Sequence, residues 1–109
     1  MNFNETNDFT KDFKRLSKKY KSLPNDFLEF KKIVSQIPLG TGRHFIVLTN
    51  TGEIKVVKAR LFCRYLKGSS LRIVYAHHEK KQVIEFVELY FKGDKENEDR
   101  KRIKFYLKK

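Results

Sequence analysis

The reading turns on residues 44–92, HFIVLTNTGEIKVVKARLFCRYLKGSSLRIVYAHHEKKQVIEFVELYFK. Four β-branched and aromatic runs alternate here with turn-forming clusters, the pattern of strands joined by short connections. His44 to Asn50 reads as one strand, and Thr51-Gly52 turns the chain into a second from Glu53 to about Leu61. Lys67-Gly68-Ser69-Ser70 is a further turn, before a strand from Leu71 to His78. Glu79-Lys80-Lys81 then leads into a last strand from Gln82 to Phe91. Strands joined so tightly can only be neighbours, so the stretch predicts a four-stranded antiparallel meander.

Upstream of this stretch the period changes from two to near four. Phe9, Phe13, Leu16, Tyr20 and Leu23 recur at spacings of 4, 3, 4 and 3, with Lys11, Lys14, Lys18 and Lys21 between them. That is an amphipathic helix. Pro24 ends it and opens a second helix to about Gln36, whose apolar side is Phe27, Leu28, Phe30, Ile33, Val34 and Ile37. With so short a link the two should form an antiparallel hairpin. Pro38 stops the second helix and Leu39–Arg43 reads as a loop. Residues 1–8 are polar and read as a loose N-terminus, with room for a short strand around Phe3.

Downstream, Asp94 is a candidate N-cap, with Glu96, Glu98 and Asp99 in the first turn, where the helix dipole favours negative charge. Ile103 and Leu107 give this third helix a side to pack. The expectation is a single α+β domain over residues 9–109: an N-terminal helical hairpin, a four-stranded antiparallel sheet and a C-terminal helix, with helices against one face of the sheet. No repeat, linker or low-complexity tract interrupts it.

Charge narrows the function. The 109 residues carry 25 Lys+Arg against 13 Asp+Glu, a formal net charge of +12. Such a field attracts polyanions, so nucleic acid or an acidic protein is the expected partner. No segment pairs a long apolar face with a basic one, and no apolar run approaches the ~20 residues of a membrane span. The first ten residues lack the apolar core of a signal peptide, and Cys63 has no second cysteine to pair with, so a reducing, cytoplasmic setting is expected.

The basic residues concentrate in the strands. From Lys55 to Lys81 there are eight (Lys55, Lys58, Arg60, Arg64, Lys67, Arg72, Lys80 and Lys81) against one acid, Glu79. Residues two apart on a strand share a face, so Lys58 and Arg60 project together and Arg72 joins them if the register allows. Cations held on a rigid sheet suit phosphate, arginine in bidentate fashion. A solvated face that prevents edge-to-edge aggregation is the plainer reading, and it suits Lys80 and Lys81. Lys58, Arg60 and Arg72 instead interrupt apolar runs. His44, His77 and His78 do not form a metal site, because His77 and His78 point to opposite faces and Cys63 has no partner thiol. By parity His78 shares the face of Arg72. Gly40-Thr41-Gly42 lacks the strand before it and the helix after it that a phosphate-binding loop needs. Glu85 and Glu88 have opposite parity, which speaks against paired-carboxylate chemistry.

Three runs taken in order, Lys58-Ala59-Arg60, Leu71-Arg72-Ile73-Val74-Tyr75 and Leu89-Tyr90-Phe91-Lys92, resemble the RelE/ParE superfamily of bacterial toxins from toxin–antitoxin pairs. The helical Phe9–Tyr20 segment and Pro38-Leu39-Gly40 before the sheet fit the same pattern, so the resemblance covers about residues 9–107. It implies the fold already expected and one of two activities. RelE-like members cut mRNA on the ribosome without a metal or other cofactor. ParE-like members inhibit DNA gyrase and are not nucleases. Both are neutralised by a cognate antitoxin.

For mRNA cleavage, a ribose 2′-OH attacks the adjacent phosphate, which requires a base, cationic stabilisation of the phosphorane and an acid for the leaving oxygen. The resemblance assigns these catalytic roles to Lys58, Arg60, Arg72 and Lys92, with Lys58 as base, and RNA binding to Lys55, Arg64, Lys67 and Lys95. Two positions depart from the family's pattern. Gly93 stands where an arginine is expected after Lys92, with Lys95 able to restore the charge. No tyrosine opens the last helix; Asp99 lies near that position and the nearest tyrosine is Tyr106. A gyrase inhibitor and a catalytically degenerate RNA-binding member are the alternatives.

Overall fold

A computed structural model describes residues 1–40 and 42–108, without the side chain of Ser69. Its elements run β1 (Asn2–Glu5), α1 (Asn7–Lys19), α2 (Leu23–Gln36), β2 (Phe45–Asn50), β3 (Ile54–Cys63), β4 (Gly68–His78), β5 (Val83–Phe91) and α3 (Arg100–Leu107), with single 3-10 turns at Gly42–His44 and Arg64–Leu66. The class is α+β, as the sequence predicts. Thr41 of the Gly40-Thr41-Gly42 loop lies outside the described residues. No helix is long and apolar enough to cross a membrane.

Among the described residues the sheet has five strands, not the four expected, in the order β1-β5-β4-β3-β2. The meander β2 to β5 is antiparallel throughout. The added strand is β1, drawn from the segment expected to be loose, and it lies parallel to β5 with Phe3 opposite Ile84. Its pairing partner is some eighty positions away, so nothing local announces it; the Phe3 ring stacked 5.9 Å from Phe86 holds it in place.

The helices do not share one face. Side chains of alternate parity on the strands enter two separate cores. Phe9, Leu16, Phe27, Phe30 and Val34 of α1 and α2 pack on Val57, Leu61, Ile73, Tyr75 and Phe86. On the opposite face Ile103 and Tyr106 of α3 pack on Val56, Val74, Ala76 and Val87. The first core is aromatic: Phe9, Phe27, Phe30 and Tyr75 all lie within 6.5 Å of the Phe86 ring. Such offset and edge contacts add to what their buried area contributes.

Three local devices fix the connections. Asp26, buried near the start of α2, accepts from Ser22 Oγ at 2.6 Å and from the Arg64 N–H at 3.1 Å, which ties the helix to the turn after β3. That turn ends at Lys67 in the left-handed conformation, φ 54°, so β4 begins at Gly68 and not after Ser70. Gly40 has φ +67°, and a Cβ there would sit 2.1 Å from the Phe45 ring, so only glycine lets β2 start against the helices.

The third helix starts later than its acids suggest. Asp99, not Asp94, is the N-cap: its side chain accepts from the Arg102 N–H at 3.0 Å. Residues 94–99 form an irregular segment over the sheet, because Glu98 is held by the sheet and not by a helix dipole.

Candidate nucleic-acid interface

Register decides which basic side chains meet. β3 and β4 place Arg60 directly opposite Arg72, and β4 and β5 place Arg72 opposite Tyr90. The next row toward α3 is Lys58, Val74 and Glu88. Beyond it the apolar contacts with α3 take over, so the helix covers one end of this face and leaves the other to exposed Arg60 and half-buried Arg72 and Lys58, with Tyr90 buried beside them. Two guanidinium groups directly opposite across strands repel one another. Burial and then the charge of Arg60 lower the pKa of Arg72, with Tyr90 acting in the opposite sense. An anionic phosphate between them would relieve that repulsion.

The cluster is not purely cationic. Glu88, 1% exposed, forms the floor of the second row. It accepts from the Asp99 N–H at 2.8 Å and pairs with the Lys95 ammonium. Glu98 reaches down from residues 94–99 to Lys58 at 2.8 Å and also lies 3.3 Å from Arg100. Burial works to raise the Glu98 carboxyl's pKa, but the Lys58 hydrogen bond, a backbone hydrogen bond and the charges of Lys58 and Arg100 together hold it below the ordinary value. Lys95 also lies 5.1 Å from the centre of the Tyr90 ring. Burial, then Glu98 and Glu88, push the Tyr90 phenol up to about 12, Arg72 opposing them, so it stays protonated and able to donate at neutral pH.

Of the eight residues singled out in the sequence, Lys58, Arg60 and Arg72 share this face. Lys92 lies just past β5, where its N–H donates to Ser70 O at 2.9 Å, one step beyond the Arg72–Tyr90 row. Lys95 joins through Glu88. Lys55 does not: it has the opposite parity, faces His77 in register and lies 3.6 Å from Glu79. Arg64 and Lys67 belong to the turn after β3 and are exposed. His78 shares the face of Arg72 but stands at the far end, 2.6 Å from the Tyr106 hydroxyl, which in turn donates to Glu85 at 2.6 Å. Tyr106 therefore anchors α3 and does not stand in for the tyrosine expected at its start.

Three members of the cluster were not singled out: Glu88, Glu98 and Tyr90. The parity argument against Glu85 and Glu88 fails because β5 bulges at Val87. Ala76 pairs with Glu85 and Val74 with Glu88, which puts both carboxylates on one face. They serve different partners, so paired-carboxylate chemistry still has no geometry here. Gly93 is also explained: a Cβ built there would lie 2.3 Å from Phe91 Cε2, so any side chain requires the Phe91 ring to move. Among the described residues no group of three or more His, Cys, Asp or Glu side chains is placed to hold a metal.

No protein-family model matches the chain, and no curated protein matches it in sequence. The structure does match a solved one, a chain of the archaeal RelE–RelB complex from Pyrococcus horikoshii OT3. The TM-score is 0.64 at 25% identity, over 84% of this chain and 94% of that one. With a helical pair on one face, a terminal helix on the other and arginines facing each other at the uncovered end, the chain has a RelE-like toxin fold.

Proposed function

We propose that this protein is the toxin of a toxin–antitoxin pair, a metal-independent endoribonuclease that cuts mRNA on the ribosome and is neutralised by a cognate antitoxin. The observation that carries the reading is the row Arg60–Arg72–Tyr90 at the uncovered end of the sheet, in a fold shared with an archaeal RelE. Arg60 and Arg72 would hold the scissile phosphate and take up charge developing on the phosphorane. Tyr90, protonated at neutral pH but only 3% exposed beneath Lys95, would donate to the leaving 5′-oxygen once Lys95 moves off its ring. Lys58 is the base by resemblance, yet its ammonium is already hydrogen-bonded to Glu98. In this reading Lys58 must leave Glu98 and give up a proton to solvent before its amine can take one from the ribose 2′-OH. Lys92 and Lys95 extend the positive rim along the RNA.

The same ion pairs favour a second reading, an RNA-binding member that no longer cuts, because Glu98 neutralises Lys58, which the chemistry needs, and Glu88 neutralises Lys95 beside it. Inducing the chain in cells and mapping mRNA 5′ ends separates the two. Codon-phased ends that vanish in Arg72→Ala support cleavage. Intact mRNA with ribosome-bound protein supports the second reading, and a DNA-damage response with intact mRNA points to gyrase and rejects both.

A further inference from the structure

The open face has a third row, past the arginines. Ala59, Leu61 and Cys63 of β3 are buried in the core under α1 and α2. Lys58, Arg60 and Phe62 therefore point the other way, onto the face that α3 leaves uncovered. On β4 and β5 the matching positions are Ser70 and Lys92, joined by the Lys92 N–H, which donates to Ser70 O at 2.9 Å. Phe62 heads this row, where the register of β3 and β4 slips between the pairs Leu61–Leu71 and Cys63–Gly68. It is 56% exposed and belongs to neither hydrophobic core. Among the described residues no other ring lies against it and no cation sits over it. The neighbouring Tyr90, by contrast, is buried beneath Lys95.

A phenyl ring left in water forgoes the stabilisation that its burial would bring. Its surroundings say what could cover it. Arg60 stands two residues back on the same strand face, about 6.5 Å along it. Arg72 lies opposite Arg60, and exposed Lys92 closes the third row. Among the described residues Arg60 has no ion-pair partner. A lipid surface needs several apolar side chains in one plane, and this row has one. A second copy of the chain would bring another formal +12 against these cations. One flat ring beside guanidinium groups suits a partner that is itself flat at one point and anionic at the next. A nucleotide is built that way, and a single nucleotide spans the step from Arg60 to Phe62.

We propose that Phe62 is a nucleobase subsite: Arg60 and Arg72 hold a phosphate of single-stranded RNA, and the adjoining base lies flat on the Phe62 ring. Lys92, at the far end of the row, meets the next stretch of backbone. A ring accepts every base, and purines most strongly because their π-face is larger, so the subsite sets a preference and not a code. The subsite rests on the RNA reading of the arginine row, but not on cleavage. It serves a member that binds RNA without cutting it equally well.

The test uses the full chain, made by cell-free synthesis. The probes are a short adenine oligonucleotide with 2′-O-methyl riboses, which no 2′-OH attack can cut, and the same sugar–phosphate backbone without bases. Phe62→Ala and Phe62→Leu should each weaken the adenine oligonucleotide by about tenfold. Neither should change the affinity of the base-free backbone or the melting temperature. Leucine keeps the apolar character and loses the π-face, whereas Phe62→Tyr should bind as the wild type does. The chain has no tryptophan, so Phe62→Trp installs a single reporter. Its fluorescence should fall with the adenine oligonucleotide and not with the base-free backbone. Full affinity in Phe62→Leu, an equal loss for both probes, an unquenched tryptophan, or a wild-type dimer that Phe62→Ala dissociates would each overturn the proposal. Binding that Arg72→Ala abolishes but Phe62→Ala leaves intact would reject the subsite and keep the RNA reading. Base-dependent quenching that survives Arg72→Ala would keep the subsite and reject the arginine row as the phosphate site. No binding of either probe would overturn both.

Discussion

Asp12 of α1 and Arg102 of α3, 90 positions apart, are joined at 2.7 Å around the edge of β5. β1 covers that edge only as far as Phe86, and the backbone beyond it is satisfied by these two side chains. Asp12 accepts from the Leu89 N–H at 3.1 Å, and Arg102 donates to Val87 O at 3.0 Å. A single ion pair thus caps a strand edge and clamps the helices of opposite faces together. Arg102→Ala leaves the buried Asp12 carboxylate with only the Leu89 N–H and an exposed Arg15 at 4.0 Å, and we expect a loss of about 3 kcal/mol of stability. Asp12→Asn should cost less, because an amide still meets the edge. Urea unfolding of both variants and the double variant gives the coupling; purely additive losses would mean that the pair is not a unit.

The Lys58–Glu98 pair predicts a specific acid sensitivity. The Glu98 carboxyl is held below its ordinary value of 4.5, so its contribution is complete above that value and is lost as pH falls through the lower, folded-state one. The wild-type protein should lose stability below about pH 4.5 more steeply than Glu98→Gln does. Urea midpoints from pH 3 to pH 6 show this directly. Parallel curves would mean that Glu98 contributes nothing through its charge.

His77 acts in the next pH range up. It is buried at 7% exposure against the helical face, and among the described residues neither ring nitrogen has a hydrogen-bond partner. Desolvation lowers its pKa; Glu79 opposes this, and Lys55 and His78 reinforce it. Below its ordinary 6.5 the unfolded chain takes up a proton that the folded one resists, so stability is full above that value and declines beneath it. The slope is at most about 1.4 kcal/mol per pH unit for one proton. His77→Leu should flatten Tm between pH 5 and pH 7; an unchanged slope there would remove His77 as the cause.

Much of this architecture was legible in the sequence, and the failures have physical causes. The spacing from Phe9 to Leu16 locates α1, and the β-branched runs locate four strands, because hydrophobic period is a local property. β1 was missed as a paired strand because four residues with one large apolar side chain carry no period, and their partner lies across the whole fold. The start of α3 was misplaced because Glu96 and Glu98 look like first-turn acids, while Glu98 is spent on Lys58. The Val87 bulge reverses parity within β5, so the charged face could not be counted out from Glu85 to Glu88. Lys58, Arg60 and Arg72 were legible because each interrupts an apolar run; Tyr90 was not, since a tyrosine in a strand looks like core.

Under the proposed function, the opposed arginines set RNA binding against stability. Like charges directly across a strand pair cost a few tenths of a kcal/mol or more, and burial adds to the cost at Arg72. Arg60→Gln should therefore leave the folded protein as stable as the wild type, or up to ~0.5 kcal/mol more stable, while weakening RNA binding and cleavage together. Arg72→Ala should lower cleavage by about 10²–10³-fold, the usual effect of removing one group that stabilises a developing oxyanion. Tyr90→Phe separates proton donation from packing. It keeps the ring under Lys95, so binding should hold while the cleavage rate falls by about 10²-fold. Single-turnover rates on a ribosome-bound message, measured beside melting curves, give all three. A Tyr90→Phe protein that cuts at the wild-type rate would remove the phenol from the chemistry. An Arg60→Gln protein that melts well below the wild type would show that the row exists to hold the sheet together.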